Sequence, residues 1–206
     1  MAEDQVTIAV IERLIKDYAH HLSVKAIRPA RGGQMKSQIE AFNKLSLIDP
    51  VILLTDLDTE DCAPIAKAKL LGNAKQNPDF LLNIAVDEAE AWLYADSVGF
   101  SSYLKVPLAI MPPSTLQKMG GMTARCEVDV PIKTSLHLTS TLIRQSENRS
   151  LVQMIRSRDG RCKGPQYNAG IVPFIKDNWN PERARQASYS LDKTIQRIIA
   201  LDEKFS

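Results

Sequence analysis

The chain has 206 residues, with 26 Lys and Arg against 24 Asp and Glu and a net charge of +2 at pH 7. Hydrophobic residues make up 44% and charged residues 24%, the balance of an ordinary globular domain, which excludes a disordered or low-complexity chain. No apolar run approaches the roughly 20 residues that span a bilayer, and three cysteines without a Cys-x-x-Cys spacing argue against a disulfide framework or a zinc site.

In chain order, the N-terminal Met1-Ala2-Glu3-Asp4-Gln5 lacks the apolar core of a signal peptide, so the expected location is cytoplasmic. From Gln5 to His20, Val6, Val10, Leu14 and Tyr18 keep helical spacing. Leu22 to Ile27 alternates as a short strand does, stopped by Pro29 and Gly32-Gly33. Arg31-Gly32-Gly33-Gln34 lacks a Walker A pattern and reads as a turn into the next helix, Ser37 to Leu47. Val51 to Asp56 is a buried strand, and a helix follows with Pro64 in its first turn. Phe80 to Val86 is a further strand, and Ala89 to Ala95 a helix. This alternation predicts a parallel α/β sheet flanked by helices.

Past Asp96 the pattern changes. Prolines and glycines break Val106 to Pro131 into loops, helical periodicity resumes over Leu136 to Arg156, and a turn-rich stretch runs from Arg158 to Pro165. From Tyr167 onward, two or three short helices are punctuated by Trp179-Asn180-Pro181 and Ser188. Residues 1–105 are therefore expected to form an α/β core, with 106–206 as a loop-rich segment and helical appendage packed on it, a single domain overall.

The chemistry concentrates at the strand ends. Val51-Ile52-Leu53-Leu54-Thr55-Asp56-Leu57-Asp58 runs from an apolar strand into two carboxylates, at the edge where open α/β sheets place their ligands. Carboxylates this close repel unless a cation shares their charge, and hard oxygen donors suit Mg²⁺ or Mn²⁺. The alternative is an acidic loop that caps the following helix. Two further acidic clusters, Glu3 with Asp4 and Glu88 with Glu90, lie at comparable junctions and could converge on the same cleft. Ile48 to Asp96 holds ten acidic residues against three lysines, whereas Thr141 to Arg197 holds eleven Lys and Arg against five acids. Within the latter, Arg156, Arg158, Arg161 and Lys163 crowd a Gly-bearing turn suited to holding phosphate, with a solvated basic loop as the alternative. Trp92 and Trp179 read as core anchors, and His20, His21 and His137 lack a partner motif.

Three pieces are similar to an uncharacterised Toprim-like family of small bacterial proteins, often encoded beside ATP-binding-cassette-type ATPases and related to overcoming-lysogenisation-defect nucleases. They are Leu54-Thr55-Asp56-Leu57-Asp58 with Cys62-Ala63-Pro64, Val86 to Asp96, and Lys163-Gly164-Pro165-Gln166-Tyr167-Asn168-Ala169. The resemblance implies a Toprim-like, Rossmann-like fold and a Mg²⁺- or Mn²⁺-dependent nuclease cutting DNA or RNA, an effector of anti-phage defence with an ATPase partner. It would make Glu3, Asp56, Asp58, Glu88 and Glu90 metal ligands, with Glu3 also a general base and Glu88 preferred over Glu90. Lys163 would neutralise transition-state charge, and Arg156, Arg158 and Arg161 would join it in holding nucleic acid. A homo-oligomer is a further option. Toprim proteins carry an apolar strand before their glutamate, whereas Met1 and Ala2 precede Glu3 here; this favours the alternative, a non-catalytic subunit that docks on an ATPase.

Overall fold

The computed structural model describes residues 4–27, 33–57, 60–118, 124–159 and 162–206, and of 33–36 the backbone alone. Helix α1 (Gln5–Tyr18) opens at Asp4, whose carboxylate accepts from both the amide and the hydroxyl of Thr7 at 2.9 Å, a side-chain cap on an otherwise orphaned donor. Its predicted stripe of Val6, Val10 and Leu14 is fully buried. Helix α2 (Gly33–Leu45), strand β1 (Val51–Asp56), helix α3 (Ala63–Leu71) and strand β2 (Phe80–Ala85) follow. β1 and β2 pair in parallel, Val51 opposite Phe80 and Asp56 opposite Ala85, with α3 as the crossover.

Both faces of this sheet are covered, which is why its strands read as continuous apolar runs. Successive residues point to opposite faces. Val51, Leu53, Phe80, Leu82 and Ile84 pack with Ile39 and Phe42 of α2 and Ala66 of α3. Ile52, Leu54, Leu81 and Ala85 join a larger core built on α1 and the C-terminal helices.

The chain is thus mixed α/β, with a parallel sheet of two strands among the described residues. Leu22–Ile27 is not a strand: Val24 and Ile27 are both 43% exposed. An alternation that buries neither face has nothing to fix its register. The expected helix from Leu136 to Arg156 is three pieces, α6 (Thr134–Ser140), a 3₁₀ turn (Leu142–Gln145) and α7 (Arg149–Ile155). Asn148 caps α7 afresh, accepting from the Leu151 amide at 3.2 Å.

Within the stretch expected as loops, strands β3 (Ser114–Gln117) and β4 (Arg125–Val128) form an antiparallel pair. Buried Glu127 of β4 accepts from the Ser188 hydroxyl at 2.7 Å and the Ser190 amide at 2.6 Å. That pins the pair to the start of α10 (Tyr189–Asp202). Between β2 and β3 come α4 (Ala89–Ala95) and α5 (Ser97–Leu104). The tail adds α8 (Tyr167–Pro173), a π-helical turn (Phe174–Asn178) and α9 (Pro181–Arg185), with Asn180 and Ser188 as the caps of α9 and α10. Trp92 and Trp179 are core anchors as expected: Trp92 Nε1 donates to Ser190 Oγ at 2.9 Å, and Trp179 Nε1 to the Trp92 carbonyl at 3.3 Å.

Candidate functional site

The parallel strands deliver their carboxylates to one edge. β1 ends on Asp56, whose Oδ1 accepts from the Ala89 amide at 3.0 Å. Ala89 is the first residue of α4, flanked by Glu88 and Glu90, so the Asp56 carboxylate is held against both glutamates' stretch of backbone. The capping alternative is met in an unexpected form. Asp56 caps α4 across the sheet, while α3, which follows it in sequence, begins at Cys62 without a side-chain cap.

Glu88 is the extended N-cap residue of α4 and Glu90 lies in its first turn, and the two carboxylates take different partners. Glu90 is 2% exposed, and its Oε1 accepts from Lys163 Nζ and from the Tyr167 hydroxyl, each at 2.8 Å. Lys163 Nζ also reaches Asp4 Oδ2 at 3.0 Å and lies 4.8 Å from the Tyr167 ring centroid. Three distant segments (the start of α1, α4 and the turn before α8) thereby meet on one ammonium. Gly164 makes the approach possible, because a Cβ there would collide with the Ile155 carbonyl.

Burial pushes the Glu90 carboxyl up, with the charges of Glu88 and Asp4 adding to the push and Lys163 opposing it. Burial also works to lower the Lys163 ammonium, but Glu90 and Asp4 outweigh it and hold the group above its ordinary range. At Asp4 burial is again outweighed, by Lys163 and the Thr7 donors, and that carboxyl sits low.

Glu88 faces α6. Its Oε2 accepts from the Ser135 amide at 2.7 Å and its Oε1 lies 3.3 Å from Lys133 Nζ. Asp87, at φ +64°, accepts from the amide and hydroxyl of Thr134. The two carboxylates therefore satisfy amides that the start of α6 leaves unpaired. Burial, then Glu88's charge, raises the Asp87 carboxyl against the Thr134 bonds. Beneath them Tyr94 and His137 pair, hydroxyl to Nδ1 at 3.1 Å. Burial lowers the His137 ring.

Of the residues singled out in the sequence, Glu90 and Lys163 pair, Asp56 reaches the backbone amide between Glu88 and Glu90, and Glu88 turns instead to Ser135 and Lys133. Glu3, Asp58 and Arg161 lie outside the described residues. Arg156 and Arg158 are exposed where α7 gives way to the turn that carries Lys163. Asp4, which the sequence marked only as part of an acidic cluster with Glu3, and Tyr167, to which it gave no role of its own, both join the Lys163–Glu90 pair. The four-residue interval from Lys163 to Tyr167 was the available signal for the second, and the cap pattern Asp4-x-x-Thr7 for the first.

The carboxylate donors suit a hard divalent ion. Among the described residues no group of three Asp, Glu, His or Cys side chains is placed to hold one. A cavity of about 760 Å³ opens at the opposite end of β1, lined by Ile11, Phe42, Pro50, Val51 and Leu201, and its walls are mainly apolar. Among the described residues no helix is long and apolar enough to cross a membrane. The chain matches no protein-family model, no curated protein and no solved structure.

Proposed function

We propose that the protein is a Toprim-like, divalent-metal-dependent nuclease that hydrolyses DNA or RNA phosphodiesters, an effector of anti-phage defence working with an ATP-binding-cassette-type ATPase. The observation that supports the reading is that Asp56, at the carboxyl end of parallel strand β1, accepts from the Ala89 amide between Glu88 and Glu90, with Lys163 paired to Glu90. Asp56, Asp58, Glu3 and a glutamate of α4 would hold Mg²⁺ or Mn²⁺. The bound ion would supply Lewis acidity toward a phosphoryl oxygen and a water of lowered pKa.

The protein's own residues do the remainder. Asp56 is oriented by the Ala89 amide, and fixed carboxylates keep a productive geometry without reorganising. Lys163, partly exposed, carries positive charge to the same edge, where it opposes negative charge developing on a phosphoryl group. Exposed Arg156 and Arg158 extend that charge along the turn toward a polyanionic strand.

The test is cleavage of single- and double-stranded DNA and RNA with Mg²⁺ or Mn²⁺ and with chelator. Asp56→Asn keeps an acceptor for the Ala89 amide while removing a ligand charge. It should lower metal-dependent cleavage at least about a hundredfold, beyond the effect of groups that only orient a ligand. Equal cleavage by both proteins would contradict the assignment. A second reading, a non-catalytic subunit docked on the ATPase, is favoured by the protein donors already engaging Glu88 and Glu90. It expects no cleavage from either protein and unchanged ATPase binding.

A further inference from the structure

Among the described residues β1 has one strand neighbour, β2. The cavity of about 760 Å³ lies on its other side, and the lining fixes that position. Ile11 of α1, from the layer on one face of the sheet, and Phe42 of α2, from the layer on the other, both line it, together with Val51 and Ile52 of β1. A space that touches helices of both layers lies in the plane of the strands. Its far wall is the run Leu22–Ile27, which alternates as a strand does. We propose that this slot docks an extended apolar segment of a partner polypeptide, which joins the sheet as a strand between β1 and Leu22–Ile27.

The dimensions fit that occupant. Strands lie about 4.8 Å apart and layers about 10 Å apart, with a rise of about 3.3 Å per residue, so one buried strand fills roughly 160 Å³ per residue. The cavity then takes about five residues, close to the six of β1. Helices on both faces leave neither side of such a strand to water, which selects a continuous Val- and Ile-rich run over an alternating or Pro-bearing one.

The walls are held in place. Asp202 accepts from the amides of His20, His21 and Leu22 and anchors the start of the far wall. Lys25 Nζ reaches Asp49, just ahead of β1, at 2.7 Å and ties the two walls together. Val24 and Ile27, each 43% exposed, are apolar side chains that an occupant would cover. It would also give the alternating run the neighbour that fixes a register. A small apolar molecule fills the volume but offers no main-chain ladder to that run.

The test uses the full chain and a fluorescein-labelled peptide, a Val/Ile run of about five residues between lysines, read by anisotropy. A copy N-methylated at its central amide keeps the side chains and loses a ladder donor. Strand addition expects saturable binding below about 100 μM, weakened about tenfold or more by the N-methyl group. Val24→Glu, at an exposed position that the fold tolerates, should weaken it at least about tenfold by setting a charge against the apolar strand. Equal binding of the N-methylated peptide, or no saturation by the parent peptide, overturns the proposal. So does dodecanoate binding where the peptide does not, which makes the slot a small-molecule site. A dimer in sedimentation that Val24→Glu dissolves also overturns it, because the occupant is then a second copy of the chain. No readout involves metal, so each result leaves the nuclease reading to its own test.

Discussion

Replacing Glu90 with alanine should strand a buried phenol. Tyr167 is 3% exposed, and its hydroxyl donates to Glu90 Oε1 at 2.8 Å. A buried donor left without an acceptor costs about 1–3 kcal/mol. Lys163 suffers less, because it keeps Asp4 at 3.0 Å and is 34% exposed, so its share is discounted to about 1 kcal/mol or below. With the void left by the carboxyl, Glu90→Ala should cost about 2–4 kcal/mol. For a chain of this size that is a fall in Tm of roughly 4–16 °C. Tyr167→Phe removes the stranded hydroxyl, so the double variant should recover about 1–3 kcal/mol relative to the sum of the singles. Urea unfolding of the four proteins, with m unchanged, measures this coupling. Additivity within about 0.5 kcal/mol would refute the claim that α8 is bonded to α4 through this pair.

Gly164→Ala places a Cβ against the Ile155 carbonyl. It should cost about 1–3 kcal/mol or more by overpacking, and cleavage should fall with it as Lys163 is displaced; thermal unfolding beside a cleavage assay checks both. Asp202 accepts from the amides of His20, His21 and Leu22 at 2.8, 2.9 and 2.8 Å. Burial works to raise its carboxyl, but these donors outweigh it and hold the group at about 2 instead of the ordinary 3.8. A lowered carboxyl contributes fully above pH 3.8 and loses its contribution as pH falls through about 2. Asp202→Asn should therefore lower Tm at pH 7 and flatten the acid limb of a Tm-against-pH curve. Arg156→Ala with Arg158→Ala should weaken nucleic-acid binding and reduce the slope of log K against log salt by about 1 for each phosphate no longer neutralised; an unchanged slope would remove these residues from the interface.

The elements most legible in the sequence were those with one strong local signal. β1, β2 and α4 lie where the apolar runs and spacing placed them, because both faces of the sheet and all of α4 are buried. Leu22–Ile27 misled because alternation records a half-buried strand only when something covers one face, and here Leu22 alone packs on the core while Val24, Ala26 and Ile27 are exposed. The β3–β4 pair was hidden by its shortness, four residues a strand; its placement comes from Glu127 reaching Ser188 and Ser190 some sixty residues on. The site followed the same division. Strand-end carboxylates announce themselves by position, so the placement of Asp56 and Glu88 at the end of the sheet was legible. The ion pairs of Lys163 with Asp4 and Glu90 span 159 and 73 residues, a link that tertiary packing alone creates.

The central claim, that carboxylates gathered at this edge share a divalent ion, is tested most directly by anomalous scattering from a Mn²⁺-soaked crystal. The account expects a single strong peak in coordination contact with Asp56 and with a glutamate of α4. A well-ordered Asp56 still capping Ala89, with no peak beside it at saturating Mn²⁺, would contradict it.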